Sequence, residues 1–251
     1  MIDDSLTAAL AEVAAHERVL VASDYDGCVA PIVSRPEDAV ADPRSIAALE
    51  RAAQAPGTVA ALISGRARAD LAALSGADKS ITLVGSHGAE FESGFDDAVT
   101  DRHRDLLARI VADLGDISGH FPGATIETKP VSAALHVRNV DDDAAAEAIA
   151  LAEAGPGAWE GVEVTHGKAV IELAVIKTSK GVALDRLRSA FEVDAVLYLG
   201  DDVTDEKAFA HLGPGDVGVK VGAGATAAAF CVEGPDDVAE VLARIADLRI
   251  R

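Results

Sequence analysis

Cysteine is scarce in this 251-residue sequence. Only Cys28 and Cys231 occur, too few for a disulfide framework and in keeping with a reducing compartment. Positive charge is also short: 22 Lys and Arg stand against 42 Asp and Glu, a formal net charge of −20. Such a surface repels nucleic acid and anionic membranes, so neither is expected as a partner. No apolar run reaches the roughly 18 residues of a membrane-spanning helix. The acidic start Met1-Ile2-Asp3-Asp4 is not followed by a long apolar run, so it does not read as a secretory signal, and a cytoplasmic location is expected. No Gly-x-Gly-x-x-Gly follows the first apolar strand, which removes the dinucleotide-binding oxidoreductases. No His or Cys spacing resembles a zinc site. What remains is an ordinary globular balance, 49% hydrophobic and 25% charged, with room for one large domain or two unequal ones.

The chain changes rhythm twice. Ser5 to Ala15 places Leu6, Ala9, Leu10 and Val13 on one helical face. Val19 to Ala22 is a short buried strand that stops at Ser23-Asp24. Asp42-Pro43 predicts a helix start, with Asp as N-cap and Pro in the first position. Thr58 to Ile63 and Ile81 to Val84 read as further strands, separated by a helix from Arg68 to Leu74 that Ser75-Gly76 closes. Alternation of buried strands with helices implies a parallel sheet. The middle differs: a helix over about 101–114, a hairpin of 124–128 with 133–138, a helix over 142–154, and a hairpin of 162–165 with 169–173 around His166-Gly167-Lys168. The last third returns to alternation, with helices at 179–191, 205–212 and 236–248 and strands at 195–199, 217–221 and 229–232. The fold class expected is α/β, a doubly wound parallel-sheet (Rossmann-like) core of residues 1–92 and 177–251 with an inserted α+β domain at 93–176.

Ligands of an open parallel sheet bind beyond the carboxyl ends of its strands. The polar residues there are Asp24 and Asp26, Ser64 and Arg66, Ser86 and His87, then Asp201, Asp202 and Asp205. Clustered carboxylates repel one another unless a cation sits among them, and oxygen ligands of this kind suit Mg²⁺. In Asp24-Tyr25-Asp26-Gly27 one carboxylate can attack phosphorus and the other can protonate a leaving alcohol; the same residues also read as a strand end and an Asp-Gly turn. In Gly200-Asp201-Asp202-Val203-Thr204-Asp205-Glu206 four carboxylates in six residues exceed what helix capping requires, although offsetting the helix dipole is the plain alternative. Ser64 reads either as the N-cap of the Arg68 helix or as an anion-binding hydroxyl. Lys180, at the start of another helix, reads either as a surface lysine or as a phosphate-neutralising cation.

Together these motifs resemble those of the trehalose-6-phosphate phosphatases, within the haloacid dehalogenase-like phosphatase superfamily. Asp24-Tyr25-Asp26-Gly27, Ser64-Gly65-Arg66, Lys180-Gly181 and the 200–206 segment look like that superfamily's four motifs in order. Gly85-Ser86-His87-Gly88-Ala89-Glu90, Glu127-Thr128-Lys129-Pro130, His136-Val137-Arg138 and Gly167-Lys168-Ala169-Val170-Ile171-Glu172 resemble segments particular to the family. The resemblance implies that Asp24 is the nucleophile and that Asp26 is the general acid and then the base. It implies that Ser64 and Lys180 bind the transferring phosphoryl oxygens. Mg²⁺ is implied at Asp24, the backbone carbonyl of Asp26 and Asp201, with Asp202 and Asp205 supporting. The inserted domain becomes a cap that brings Lys129, Arg138, Lys168 and Glu172 to a small-molecule sugar phosphate, with Arg66, His87 and Gly88 on the core side.

Three positions depart from the family pattern. Cys28 stands where Thr is usual, as a tolerated small residue, a weakening change or a redox-sensitive one. Leu173-Ala174-Val175-Ile176 follows Glu172 where an Arg-Pro pair is more common. Val137 replaces an aromatic residue. Substrate alternatives therefore stay open, sucrose 6-phosphate and a mannosyl phosphoglycerate among them, as does a non-catalytic sugar-phosphate sensor. The oligomeric state is not legible, and a monomer is the expectation.

Overall fold

A computed structural model describes residues 2–95 and 99–250. Met1, where the acidic start read above begins, lies outside them. The chain divides into two compact units, Met1–Gly94 with Thr178–Arg251, and Phe95–Lys177. In chain order the elements run α1 (Asp4–Ala14), β1 (Val19–Ser23), α2 (Pro43–Ala53), β2 (Thr58–Ile63), α3 (Arg68–Ser75), β3 (Ile81–Val84), and the short β4 (Glu90–Phe91) and β5 (Gly94–Phe95). The second unit holds α4 (Asp101–His120), β6 (Thr125–Thr128), β7 (Ser132–His136), α5 (Asp142–Ala154), β8 (Glu163–Gly167) and β9 (Val170–Ala174). The first unit resumes with α6 (Lys180–Phe191), β10 (Ala195–Gly200), α7 (Val203–Phe209), β11 (Val217–Val221), β12 (Phe230–Val232) and α8 (Pro235–Arg249). Among the described residues no helix is long and apolar enough to cross a membrane.

The first unit is a six-stranded sheet in the order β12-β11-β10-β1-β2-β3, parallel throughout. Its apolar strands are covered on both faces, as a parallel sheet requires. Strand periodicity divides them cleanly. Val19, Val21, Leu62, Leu197 and Leu199 join Leu10 of α1, Leu49 of α2 and Leu242 of α8 in one cluster. Leu20, Ala22, Ile63, Val196 and Tyr198 join Leu184 and Leu187 of α6 and Phe209 of α7 in the other. Each such Val, Leu or Ile side chain contributes about 1.5–3 kcal/mol by leaving water. The strand order reverses between β1 and β10, and a crevice forms at such a switch point. The register sets Ser23 beside both Leu199 and Leu62, so the chain leaves β1, β10 and β2 at one level.

The second unit is an antiparallel sheet in the order β6-β7-β9-β8, with Ile110 and Leu114 of α4 and Ala148 and Ala152 of α5 buried in it.

Several element boundaries differ from the sequence reading. Helix α4 runs on to His120 through Gly115 and Gly119, because packing of its apolar face outweighs the roughly 1 kcal/mol that each glycine costs. The second hairpin turns at Lys168-Ala169, with Gly167 paired to Val170 and Ala169 left-handed at φ 58°, so His166 and Gly167 belong to a strand. Helix α7 begins at Val203, because Asp202 and Asp205 form a reciprocal capping box.

Candidate active site

Asp24 follows β1 directly and is 5% exposed. Its Oδ1 accepts from the Tyr25 backbone N–H at 2.6 Å, and its Oδ2 lies 2.8 Å from Lys180 Nζ. Lys180 is the first residue of α6, which Ser179 caps through Val182 N–H at 3.2 Å. The same ammonium donates to Asp205 Oδ1 at 2.8 Å. Lys180 is thus a buried cation between two carboxylates and not a surface lysine. Burial alone would lower its pKa, but Asp205 and Asp24 overcome this and hold it raised.

Asp205 is wholly buried and fully engaged. Tyr198 donates its hydroxyl to Oδ1 at 2.6 Å, and the backbone N–H groups of Asp201 and Asp202 donate to Oδ2 at 3.1 Å each. Burial pushes this carboxyl up, yet Lys180, Tyr198 and the Asp202 amide pull it below the ordinary carboxylate value. Burial beside Asp205 drives the Tyr198 phenol well up, so it remains a donor.

Asp201 follows β10. Among the described residues none donates a hydrogen bond to its carboxylate, which burial and the Asp205 charge push up to about 6. Burial likewise raises Asp24 well above its ordinary value, against the pull of Lys180. Asp24, Asp201 and Asp205 each offer an oxygen, all within 4.8 Å of one another. Three carboxylates around one ammonium leave the site short of positive charge, and an all-oxygen anionic donor set fits a hard divalent cation. Asp202 stands apart from this cluster. Its side chain caps α7, accepting from Val203 N–H at 2.7 Å.

The turn after Asp24 makes room for Asp201. Gly27 has φ 80°, and a Cβ there would lie 2.0 Å from Asp201 Oδ2. The glycine serves both the turn and the close approach. Asp26, two residues beyond Asp24, is bound not to Lys180 but to Arg66, through Nε to Oδ2 at 2.7 Å and Nη2 to Oδ1 at 2.6 Å. The Arg66 guanidinium also lies 5.6 Å from the Tyr25 ring centroid.

Ser64 is buried after β2, and its hydroxyl accepts from Arg66 N–H at 3.1 Å. It does not cap α3. The N-cap of α3 is Ala67, and the carboxylate of Glu90 takes the Arg68 N–H at 2.8 Å instead, reaching in from the β3 side of the sheet. Ser86 and His87 hold left-handed backbones at φ 51° and 54°. The Ser86 amide donates to Arg66 O at 2.7 Å, and that of His87 to Ser64 O at 2.9 Å. Such a turn costs of order 1–3 kcal/mol per strained residue and persists because these bonds clamp it to the Ser64 loop. The His87 ring lies over Gly65, where a Cβ would come within 2.4 Å of Cε1. Gly88 has φ 106° and packs on the Ser179 carbonyl that precedes Lys180.

In the second unit, Lys129 Nζ donates to Glu172 Oε2 at 2.9 Å and Ser132 Oγ to Glu172 Oε1 at 2.6 Å. Glu172 is 8% exposed. Arg138, after β7, and Lys168, in the β8–β9 turn, are exposed. Glu127, paired with His136 at 2.9 Å, is held below its ordinary pKa by that contact. Cys28 is completely buried; burial, then the Asp24 charge, raise its thiol well above the ordinary value, so it stays protonated and packs as a small apolar group.

Sequence reasoning passed over Tyr198 and Lys220. Each sits in an apolar strand run, where a buried hydroxyl or ammonium must have a partner, and that requirement was the available signal. Lys220, 6% exposed on β11, donates from Nζ to the Asp201 backbone carbonyl and lies 3.8 Å from Glu206.

A sequence profile described as Trehalose-phosphatase matches residues 22–236. A trehalose-phosphate phosphatase of Mycobacterium marinum is 37% identical over 91% of this chain, and the chain spans 62% of that relative's length. The trehalose-6-phosphate phosphatase of Escherichia coli is 33% identical over 86% of this chain and 82% of its own. The solved C-terminal domain of Candida albicans trehalose-6-phosphate phosphatase superposes with a TM-score of 0.84 at 25% identity, covering 96% of both chains. The profile match runs from the end of β1 to the start of α8 and so includes every residue of the Asp24–Lys180–Asp205 chain. By that match, and by identity to a relative most of whose length it spans, the chain belongs to the trehalose-phosphatase family.

Proposed function

We propose that the chain is a Mg²⁺-dependent phosphatase that hydrolyses trehalose 6-phosphate to trehalose and phosphate through a phosphorylated Asp24. The observation that carries this reading is the Asp24 carboxylate, buried at the end of the central strand with Lys180 at 2.8 Å and two further carboxylates beside it. The names of the relatives support the substrate.

On this reading Asp24 attacks phosphorus, and the bond from phosphorus to the sugar oxygen breaks. Asp26 gives its proton to that oxygen. It then takes a proton from the water that cleaves the acyl phosphate. Ser64 and Lys180 hold the transferring oxygens, since phosphoryl transfer needs mainly positioning and charge neutralisation. Asp24, the Asp26 carbonyl and Asp201 would hold Mg²⁺, with Asp205 supporting and Asp202, expected beside them, committed instead to the α7 cap, and the ion would supply further positive charge. Arg66, His87 and Gly88 line the sugar phosphate from the core. The second unit is the cap and contributes Lys129, Arg138, Lys168 and Glu172. A cytoplasmic, monomeric enzyme without nucleic-acid or membrane partners completes the reading.

The test is phosphate release from trehalose 6-phosphate with Mg²⁺, with EDTA, and with Asp24→Asn, run beside sucrose 6-phosphate and a mannosyl phosphoglycerate. Release from trehalose 6-phosphate that needs both Mg²⁺ and Asp24 supports the reading. Release only from another sugar phosphate overturns the substrate, and binding without turnover overturns the enzyme.

A further inference from the structure

The Tyr198 hydroxyl has no place in the chemistry proposed above, yet it ends on the oxygen that orients Lys180. Tyr198 OH and Lys180 Nζ both donate to Asp205 Oδ1, at 2.6 and 2.8 Å, and Lys180 reaches Asp24 Oδ2 at 2.8 Å. The four side chains form one buried chain, Tyr198–Asp205–Lys180–Asp24. Tyr198 and Asp205 are 0% exposed, Lys180 2% and Asp24 5%. The phenol ring is set by an edge-on contact with Phe209, 5.7 Å between centroids. The buried cluster that holds the ring is apolar, with Leu20, Ala22 and Ile63 among its members. Packing there would be met equally well by Phe, so the hydroxyl calls for a separate account.

We infer that Tyr198 is a positioning residue that acts through Asp205 to keep Lys180 shared with Asp24 and with an anion bound there. Asp205 Oδ2 is already held by two backbone amides. Oδ1 therefore carries the charge that Lys180 feels. A second donor on Oδ1 divides that charge and fixes the carboxylate plane. Without the hydroxyl, Lys180 is drawn onto Asp205 and away from Asp24. This inference rests on the phosphatase reading for its kinetic consequence and on the geometry alone for its effect on anion binding.

The experiment compares wild type, Tyr198→Phe and Phe209→Leu, the last loosening the same packing with the hydroxyl intact. For Tyr198→Phe, kcat on trehalose 6-phosphate with Mg²⁺ is expected to fall and KM to rise, together lowering kcat/KM about tenfold. That is less than the 10²–10³ typical of removing a donor that touches the transition state directly. Calorimetric affinity for inorganic phosphate with Mg²⁺ should weaken in parallel, while Phe209→Leu keeps both at a comparable loss of Tm. An unchanged kcat/KM with unchanged phosphate affinity in Tyr198→Phe overturns the inference, as does an equal loss in Phe209→Leu. If wild type releases no phosphate from any sugar phosphate, the phosphatase reading fails, and phosphate affinity alone then decides the role of Tyr198.

Discussion

Arg66 grips Asp26 with two parallel hydrogen bonds, 2.7 and 2.6 Å, although Asp26 lies only two residues beyond Asp24, whose partner is Lys180. Arg66 is itself fixed, its backbone amide on Ser64 Oγ and its carbonyl on the Ser86 amide. The two residues assigned to proton transfer and to anion binding on the core side are therefore partners of one another. On the proposed reading, an arriving sugar phosphate would compete with Asp26 for the guanidinium.

Arg66→Lys keeps the charge and removes the planar fork. Lysine cannot make the two parallel bonds, so Asp26 loses its fixed orientation. We expect kcat/KM for trehalose 6-phosphate to fall about 10- to 100-fold with little change in Tm, a loss of about 1.4–2.7 kcal/mol in transition-state stabilisation. Steady-state kinetics beside a thermal melt check this, and wild-type kinetics in Arg66→Lys would show that the fork is dispensable.

Asp201 titrates near 6 in the folded chain against an ordinary 3.8, because burial and the Asp205 charge oppose its ionisation. Its favourable contribution to stability is complete below pH 3.8 and is lost as pH rises through about 6. Asn copies the protonated form at every pH. In EDTA, Asp201→Asn should therefore match wild type near pH 4 and exceed it at pH 7.5 by about 1–2 kcal/mol, a few degrees in Tm. Added Mg²⁺ should reverse the order at pH 7.5 by stabilising wild type alone. A stability difference independent of pH sinks the argument.

Gly27→Ala tests the crowding between the Asp24 turn and Asp201. The left-handed φ of 80° costs a β-carbon about 1–2 kcal/mol. The carboxylate, 2.0 Å from the ideal Cβ, has to move as well. We expect a lower Tm and at least about a tenfold loss of Mg²⁺ affinity, read from the Mg²⁺ dependence of the melt. A lower Tm with full Mg²⁺ affinity would mean that Asp201 takes no part in holding the ion.

Glu172→Gln removes the charge opposite Lys129 but retains a partner for Ser132. If this cluster reads the sugar, kcat/KM for trehalose 6-phosphate should drop about 10- to 100-fold, while that for para-nitrophenyl phosphate stays within about twofold. Equal losses on the two esters would remove the division of labour between the units.

The amino-acid sequence by itself determined the division into strand–helix rhythms and the α/β class, because alternating burial is written in residues such as Val19 to Ala22 and Thr58 to Ile63. It also determined which residues stand at strand ends, Asp24, Ser64 and Asp201 among them, because Asp, Ser and Gly stop an apolar run wherever it lies. The capping role of Asp42 was local, and so legible. Only the tertiary structure decided which of these polar residues meet. The parallel register brings the ends of β1, β2 and β10 to one level, joins Lys180 to carboxylates 156 residues before it and 25 after it, and gives Asp26 to Arg66. It also decided that Glu90 and not Ser64 caps α3, and that Tyr198 belongs to the Lys180 network. Those are pairings between distant segments, and a hydrogen bond depends on where two groups stand in space, which no local pattern of residues records.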